Sequence, residues 1–115
     1  MRQHEAMETR TTSLFVYGTL LNADLRIRLL GRRVETVPAT LVGYARGQKR
    51  YFFVVRQEGA NTEGALLLDL TESDFGILDD YEELPRLYTR ARVTVLDAAG
   101  AELECWTYLP TDWAD

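Results

Sequence analysis

The chain has 115 residues, 46% of them hydrophobic and 27% charged, enough for one domain with its own core and no need of a stabilising metal or disulfide. A formal net charge of −5 argues against a general binder of nucleic acid or of anionic membrane surfaces. The single cysteine, Cys105, excludes an intrachain disulfide and fits a reducing, cytoplasmic setting.

In chain order, residues 1–12 ("MRQHEAMETRTT") read as a flexible tail without the apolar stretch of a signal peptide. Residues 13–115 read as one domain. Ser13–Tyr17 is a first strand that runs into "YGTL". Gly18 opens backbone angles closed to other residues and lets a ligand approach the main chain, where successive N–H groups can form an anion-binding nest. A tight exit from the strand explains the same glycine. Asn22 caps a short helix reaching Leu30 and closed by Gly31. Ala39–Tyr44 and Tyr51–Arg56 carry the β-branched and aromatic residues of strands, and Gly59-Ala60-Asn61 marks a turn. Glu63–Leu70 follows as a separate strand, and its "ALLL" centre implies burial on both faces. No run approaches the length of a membrane span.

The second helix has the clearest start. Thr71 is a natural N-cap, Asp74 completes a variant capping box, and Leu70 and Phe75 occupy the hydrophobic staple. The helix extends from Glu72 to Glu82 or Glu83, before Pro85. The remainder is a hairpin, "TRARVTVL" and "AELECWTYL" around the loop "DAAG". Two short helices among five to seven strands predict an α+β fold, a small, mostly antiparallel barrel or mixed sheet.

Charge is segregated. Asp24 to Arg56 holds eight Arg or Lys against two acids, and Asp69 to Glu83 holds seven acids and no base. Two solvated faces that attract each other account for this, and a basic rim steering an anion is the alternative. The only histidine, His4, lies in the tail, which removes Ser-His or Cys-His nucleophiles and the usual zinc ligand set. No phosphate-binding glycine loop is present. Carboxylates, tyrosines, arginines and backbone amides remain, a set suited to proton transfer beside an electrostatic hole.

A helical wheel separates the acids of "LDDYEE". With about 100° per residue, Phe75, Ile77, Leu78 and Tyr81 define the apolar arc, while Asp79, Asp80 and Glu83 fall toward solvent. Glu82 falls between Leu78 and Phe75. Asp74 also falls inward, as its capping role explains. A carboxylate turned inward is desolvated and its pKa rises toward the range of a general acid or base. A helix frayed before Glu82, or a buried pair with an arginine such as Arg90, would account for the same pattern.

"FVYGTLL", the "EG" of Glu63-Gly64 opening a strand, "LDDYE", "LYTRARVTV" and "CWTYL" together resemble the gamma-glutamylcyclotransferase-like, or AIG2-like, family over nearly the whole chain, and most of all its gamma-glutamylamine cyclotransferase branch. The resemblance implies a small mixed barrel with peripheral helices. It implies an enzyme that cyclises a gamma-glutamyl group to 5-oxoproline and releases an amine, without cofactor or metal. It places the catalytic glutamate on Glu82 and the substrate-cradling loop on Tyr17, Gly18, Thr19 and Leu20. Tyr88, Arg90 and Tyr108 match polar positions of the pattern: the two tyrosines as donors to the substrate carboxylate or as pocket lining, and Arg90 as the partner of an acid near Glu82, with packing or a place on the strand surface as the alternative for each. The implied partner is a small gamma-glutamyl substrate, with no nucleic acid or membrane, and the protein is expected to be a monomer or weak dimer. Glu83 stands where many relatives have glycine, and the basic "ARGQKRYFFVV" lacks a proline common before the third strand and is expected to border the leaving-group side. The alternative is a non-catalytic module that uses the pocket to bind a small carboxylate metabolite or a protein partner.

Overall fold

The computed structural model describes residues 12–114, so the expected N-terminal tail lies almost wholly outside the described residues. Five strands form a closed barrel in the order β1-β3-β2-β4-β5: β1 (Leu14–Val16), β2 (Thr36–Gln48), β3 (Phe52–Leu67), β4 (Tyr88–Asp97) and β5 (Glu102–Pro110). Every neighbouring pair is antiparallel except β1 with β5, which closes the barrel in parallel through Leu14 opposite Trp106 and Phe15 opposite Thr107. Helix α1 (Ala23–Leu30) follows β1, and helix α2 (Glu72–Tyr81) follows β3. The α+β barrel expected from the sequence is therefore the observed fold.

Strand β1 is buried along its whole length because both of its faces meet apolar layers. Phe15 joins Leu41, Val54, Leu66, Val95 and Cys105 in a cluster built from strand residues, the barrel interior. Leu14 and Val16 point the other way, toward Leu67, Leu70, Phe75 and Leu78 beneath α2. Leu66 and Leu67 divide between the same two clusters, which accounts for the apolar run "ALLL".

Local chemistry fixes the helices as the caps predict. The Asn22 side chain accepts from the Leu25 amide at 2.9 Å, and Gly31 ends α1 with a φ of 77°. Thr71 and Asp74 form the reciprocal capping box, with bonds of 3.0 and 2.9 Å. Asp74 also takes a two-pronged bond from Arg32 at 2.7 and 2.6 Å, which holds its carboxyl below the ordinary range and joins the end of α1 to the start of α2. At this point the basic and acidic stretches of the chain do attract each other.

Several expectations need correction. Tyr51–Arg56 and Glu63–Leu70 are not two strands: all but Tyr51 and residues 68–70 fall in the single strand β3, so Glu63-Gly64 lies inside a strand rather than opening one. Gly59-Ala60-Asn61 is not a turn. It belongs to a bulge in which residues 57–60 lie opposite Gly43 alone, between the pairs Val42–Asn61 and Tyr44–Arg56. Gly43 and Gly59 supply the positive φ values the bulge requires, 88° and 85°. The buried arc of α2 is narrower than the wheel implied and is turned toward Asp79: Asp74, Phe75 and Leu78 are buried, whereas Ile77 and Tyr81 are 36% and 37% exposed.

Gly64 sets how closely β1 lies on β3. A Cβ at this position would stand 2.2 Å from the Val16 carbonyl oxygen and 2.8 Å from the Phe15 ring. Backbone occupies the space, so a side chain can enter only by displacing β1. Gly64→Ala is expected to lower stability by about 3 kcal/mol and to disturb the loop after β1. Denaturant unfolding, with amide shifts of residues 15–20, checks both effects.

Candidate functional site

The loop after β1 is held by its carbonyl groups. A short 3-10 turn, Thr19–Leu21, is closed by the Leu21 and Asn22 amides bonding to the Gly18 and Thr19 carbonyls, each at 3.0 Å. Arg46 donates to the Tyr17 carbonyl at 2.9 Å, and Arg26 donates to the carbonyls of Leu20 and Leu21 at 2.9 and 3.0 Å. The Thr19 and Leu20 amides precede the first bonded residue of the turn and so remain available as donors. Gly18 has a φ of −130° and a ψ of −129°, outside the helical and extended regions, and its lack of a side chain also relieves a contact. A Cβ there would lie 3.0 Å from Cβ of Phe52.

Glu82 reaches the same place from α2. The helix ends at Tyr81 and Glu82 is its C-cap. The chain leaves through a Schellman arrangement, with the Leu84 amide on the Asp79 carbonyl at 3.1 Å and the Glu83 amide on that of Asp80 at 3.0 Å. Glu83 takes the left-handed position, with a φ of 59°, where glycine is the usual occupant. Its carboxylate forms an ion pair with Arg86 at the surface.

Loop and helix end meet at a cavity of about 350 Å³ whose walls include Tyr17, Gly18, Thr19, Leu20, Glu82, Tyr88 and Tyr108. Seven of the eight side chains and loop positions singled out in the sequence thus share one hollow. The eighth, Arg90, does not line it. Arg90 binds Asp79 at 3.1 and 3.3 Å, and its guanidinium lies between the rings of Phe75 and Trp106, 4.5 and 4.8 Å from their centroids. Gln48, Arg50, Tyr51 and Phe52 from the basic β2–β3 segment also line it, the segment expected to border the leaving group.

Burial pushes the Glu82 carboxyl from an ordinary 4.5 up to about 7. Its side chain has no hydrogen-bond or ion-pair partner among the described residues, and α2 carries no base in its last turn. The pair with Arg90 considered from the sequence does not form, because Asp79 takes that arginine. The tyrosines around Glu82 are buried and their hydroxyls resist ionisation. Each of the three hydroxyls donates to protein: Tyr17 to the Tyr108 carbonyl at 2.6 Å, Tyr88 to the Phe52 carbonyl at 2.5 Å, and Tyr108 to Asp79 at 2.7 Å. Tyr88 and Tyr108 therefore line the cavity without offering it a proton.

Sequence reading missed the parts played by Asp79, Arg26 and Arg46, which hold the site's walls; Asp79 lies within "LDDYE" but was placed toward solvent. Asp79 falls on the solvent side of the wheel, yet its side chain is only 25% exposed because Tyr108 and Arg90 reach around the helix to it. Arg26 lies four residues beyond the cap Asn22, one turn from the loop it ties down, and that spacing was a usable signal. Thr19 and Tyr81 share a hydroxyl bond of 3.0 Å that joins loop to helix end. Among the described residues no group of His, Cys, Asp or Glu could hold a metal ion, and no helix is long and apolar enough to cross a membrane. Cys105 lies in the barrel interior, where burial raises its thiol to about 12.

These features define a small closed barrel with one desolvated carboxylate set opposite a glycine-bearing main-chain turn. Residues 14–114 match the gamma-glutamyl cyclotransferase, AIG2-like family, and the chain belongs to that family. It is 27% identical over 112 residues to a gamma-glutamylcyclotransferase and putative RNase of Methanocaldococcus jannaschii, covering 95% of this chain but only 50% of that protein. It is 28% identical over 105 residues to AIG2-like protein D of Arabidopsis thaliana, covering 89% of this chain and 67% of the relative. A solution structure of an Arabidopsis thaliana protein superposes with a TM-score of 0.79 at 29% identity, over 90% of this chain and 70% of that one.

Two outcomes are expected. In the unfolded chain Glu82 loses its proton near 4.5 and in the folded chain near 7, so the folded state holds more protons between those values. Stability should therefore fall as pH rises from about 4.5 to about 7, by up to about 3 kcal/mol, and level off above. Glu82→Gln removes this dependence and should be the more stable protein at pH 8, as thermal unfolding across pH will read. Glu83→Gly relieves the left-handed residue and should raise stability by about 1 kcal/mol. A carboxyl-carbon NMR titration of Glu82 should be unaltered in that variant.

Proposed function

We propose that the protein is a cyclotransferase that converts a gamma-glutamyl amine or small gamma-glutamyl peptide to 5-oxoproline and a free amine. One observation carries this reading: Glu82 is desolvated, has no cationic partner, and stands in the same cavity as the Tyr17–Leu20 turn. Such a carboxylate is half-ionised near neutral pH and can both take and return a proton. The available amides of the turn supply the complementary feature, donors for a carboxylate or a developing oxyanion.

The reaction needs no nucleophile from the protein. Glu82, ionised, takes a proton from the substrate's α-ammonium. The freed nitrogen lone pair attacks the γ-carbonyl carbon, and the new C–N bond closes a five-membered ring. The carbonyl electrons move to oxygen, where an amide of the Gly18–Leu20 turn can stabilise them, a donor typically worth about 3 kcal/mol. As the carbonyl re-forms, the original γ C–N bond breaks. Its nitrogen leaves with the proton returned by Glu82, and the carboxylate so regenerated takes the second proton that the ring nitrogen gives up to become the lactam N–H. Holding the substrate folded on itself supplies the proximity that intramolecular attack requires. Tyr88 and Tyr108 belong to the pocket wall, and Arg90 acts behind it.

Mass spectrometry of 5-oxoproline across a panel of gamma-glutamyl amines and dipeptides tests the reading. Turnover is expected for at least one member, with kcat/KM rising through about pH 7 as Glu82 ionises. Glu82→Gln should reduce kcat by about 10³-fold or more while the substrate still binds. Undiminished turnover in that variant defeats the mechanism. Binding without turnover in the unaltered protein leaves the non-catalytic binding module as the function.

A further inference from the structure

Buried tyrosines in a ligand cavity usually serve as donors. Here all three are committed elsewhere. The Tyr17 and Tyr88 protons rest on main-chain carbonyls, and the Tyr108 proton rests on the Asp79 carboxylate, which does not line the cavity. A phenol whose hydrogen points into the protein wall has only lone pairs left to offer. All three oxygens are close enough to Glu82 to feel its charge. Around Glu82 the cavity therefore presents phenol acceptors, while the turn after β1 offers amide donors.

We propose that Tyr88 and Tyr108, with Tyr17 behind them, form an ammonium-accepting subsite, and that Asp79 is the positioning residue that fixes its polarity through Tyr108. Rotating the Tyr108 hydrogen into the cavity would set a donor against an incoming cation. Asp79 prevents this because its Oδ1 takes the hydroxyl at 2.7 Å, while Arg90 anchors the carboxylate from the far side at 3.1 and 3.3 Å. Phe75 and Trp106 in turn clamp the guanidinium. The subsite reads a primary ammonium beside a carboxylate, the α-amino-acid end of a ligand, and it holds that ammonium beside Glu82. This inference rests on the proposed function for the identity of its ligand but not for its chemistry.

The test compares two ligands that differ only in the ammonium, gamma-glutamyl methylamide and N-methylglutaramic acid, by calorimetry on the full chain. The unaltered protein should bind the ammonium ligand at least about tenfold more tightly, as hydrogen bonds to a charged group imply. Tyr88→Phe and Tyr108→Phe keep the ring and remove the oxygen, and each should shrink that preference several-fold while leaving affinity for the des-amino ligand unchanged. Asp79→Ala should shrink it similarly, although it touches neither ligand. Tyr88→Phe leaves Asp79 and Arg90 intact, so it decides the matter should Asp79→Ala fold poorly. A preference retained in both phenylalanine variants overturns the subsite, as does equal loss of both ligands in all three. Equal affinity of the unaltered protein for the two ligands, or none for either, overturns it as well. Preference for the ammonium ligand without release of 5-oxoproline would instead remove the cyclotransferase reading and leave the subsite standing.

Discussion

Glu82 is a carboxylate that the fold desolvates and then declines to neutralise. Burial supplies the main effect on its acidity. Its place as the C-cap of α2 acts in the same direction, since the carbonyl end of a helix disfavours an anion. An arginine within reach would cancel both, as Arg32 does for Asp74 at the other end of the helix. Arg90, the partner considered from the sequence, is instead held by Asp79 and two aromatic faces. The electrostatic character of the cavity thus depends in part on where the Arg90 guanidinium is kept.

The rest of the architecture brings a main-chain turn to that carboxylate. Strand β1 is only three residues long, yet it is sealed between the barrel interior and the layer beneath α2. Gly64 lets it lie close against β3, and the turn after it is fixed by guanidinium bonds to its carbonyl oxygens. Tying a loop through its acceptors is an economical way to leave its donors unused. The basic stretch of the chain therefore serves partly as internal scaffolding, a role that neither the solvated face nor the steering rim anticipates.

Much of this was legible because it is local. Thr71 and Asp74 announce the start of α2, and the distance from that start fixes the phase of every later residue, so Glu82 could be placed inward from the wheel alone. The "YGTL" exit and the "ALLL" strand were legible for similar reasons. What failed was non-local. Gly59 reads as a turn because a positive φ is needed, but whether the chain reverses or only bulges depends on Gly43 across the sheet. Asp79 reads as solvent-facing because the two groups that cover it, Arg90 and Tyr108, come from β4 and β5. Gly64 reads as a strand opener because its constraint is a carbonyl nearly fifty residues away.

The same division explains why Asp79 and Glu82, three residues apart on one helix, have opposite characters. The helix turn that separates them places Glu82 over the cavity and Asp79 behind its wall. Asp79 gathers three donors, two from Arg90 and one from Tyr108. Glu82 gathers none among the described residues and can exist in either protonation state near neutral pH. Of the two carboxylates this helix presents, only the one without donors suits the proton-transfer role proposed for Glu82. Exchanging their partners, by moving a guanidinium toward the cavity, would preserve the net charge while giving Glu82 the cationic partner that the proposed proton transfer requires it to lack.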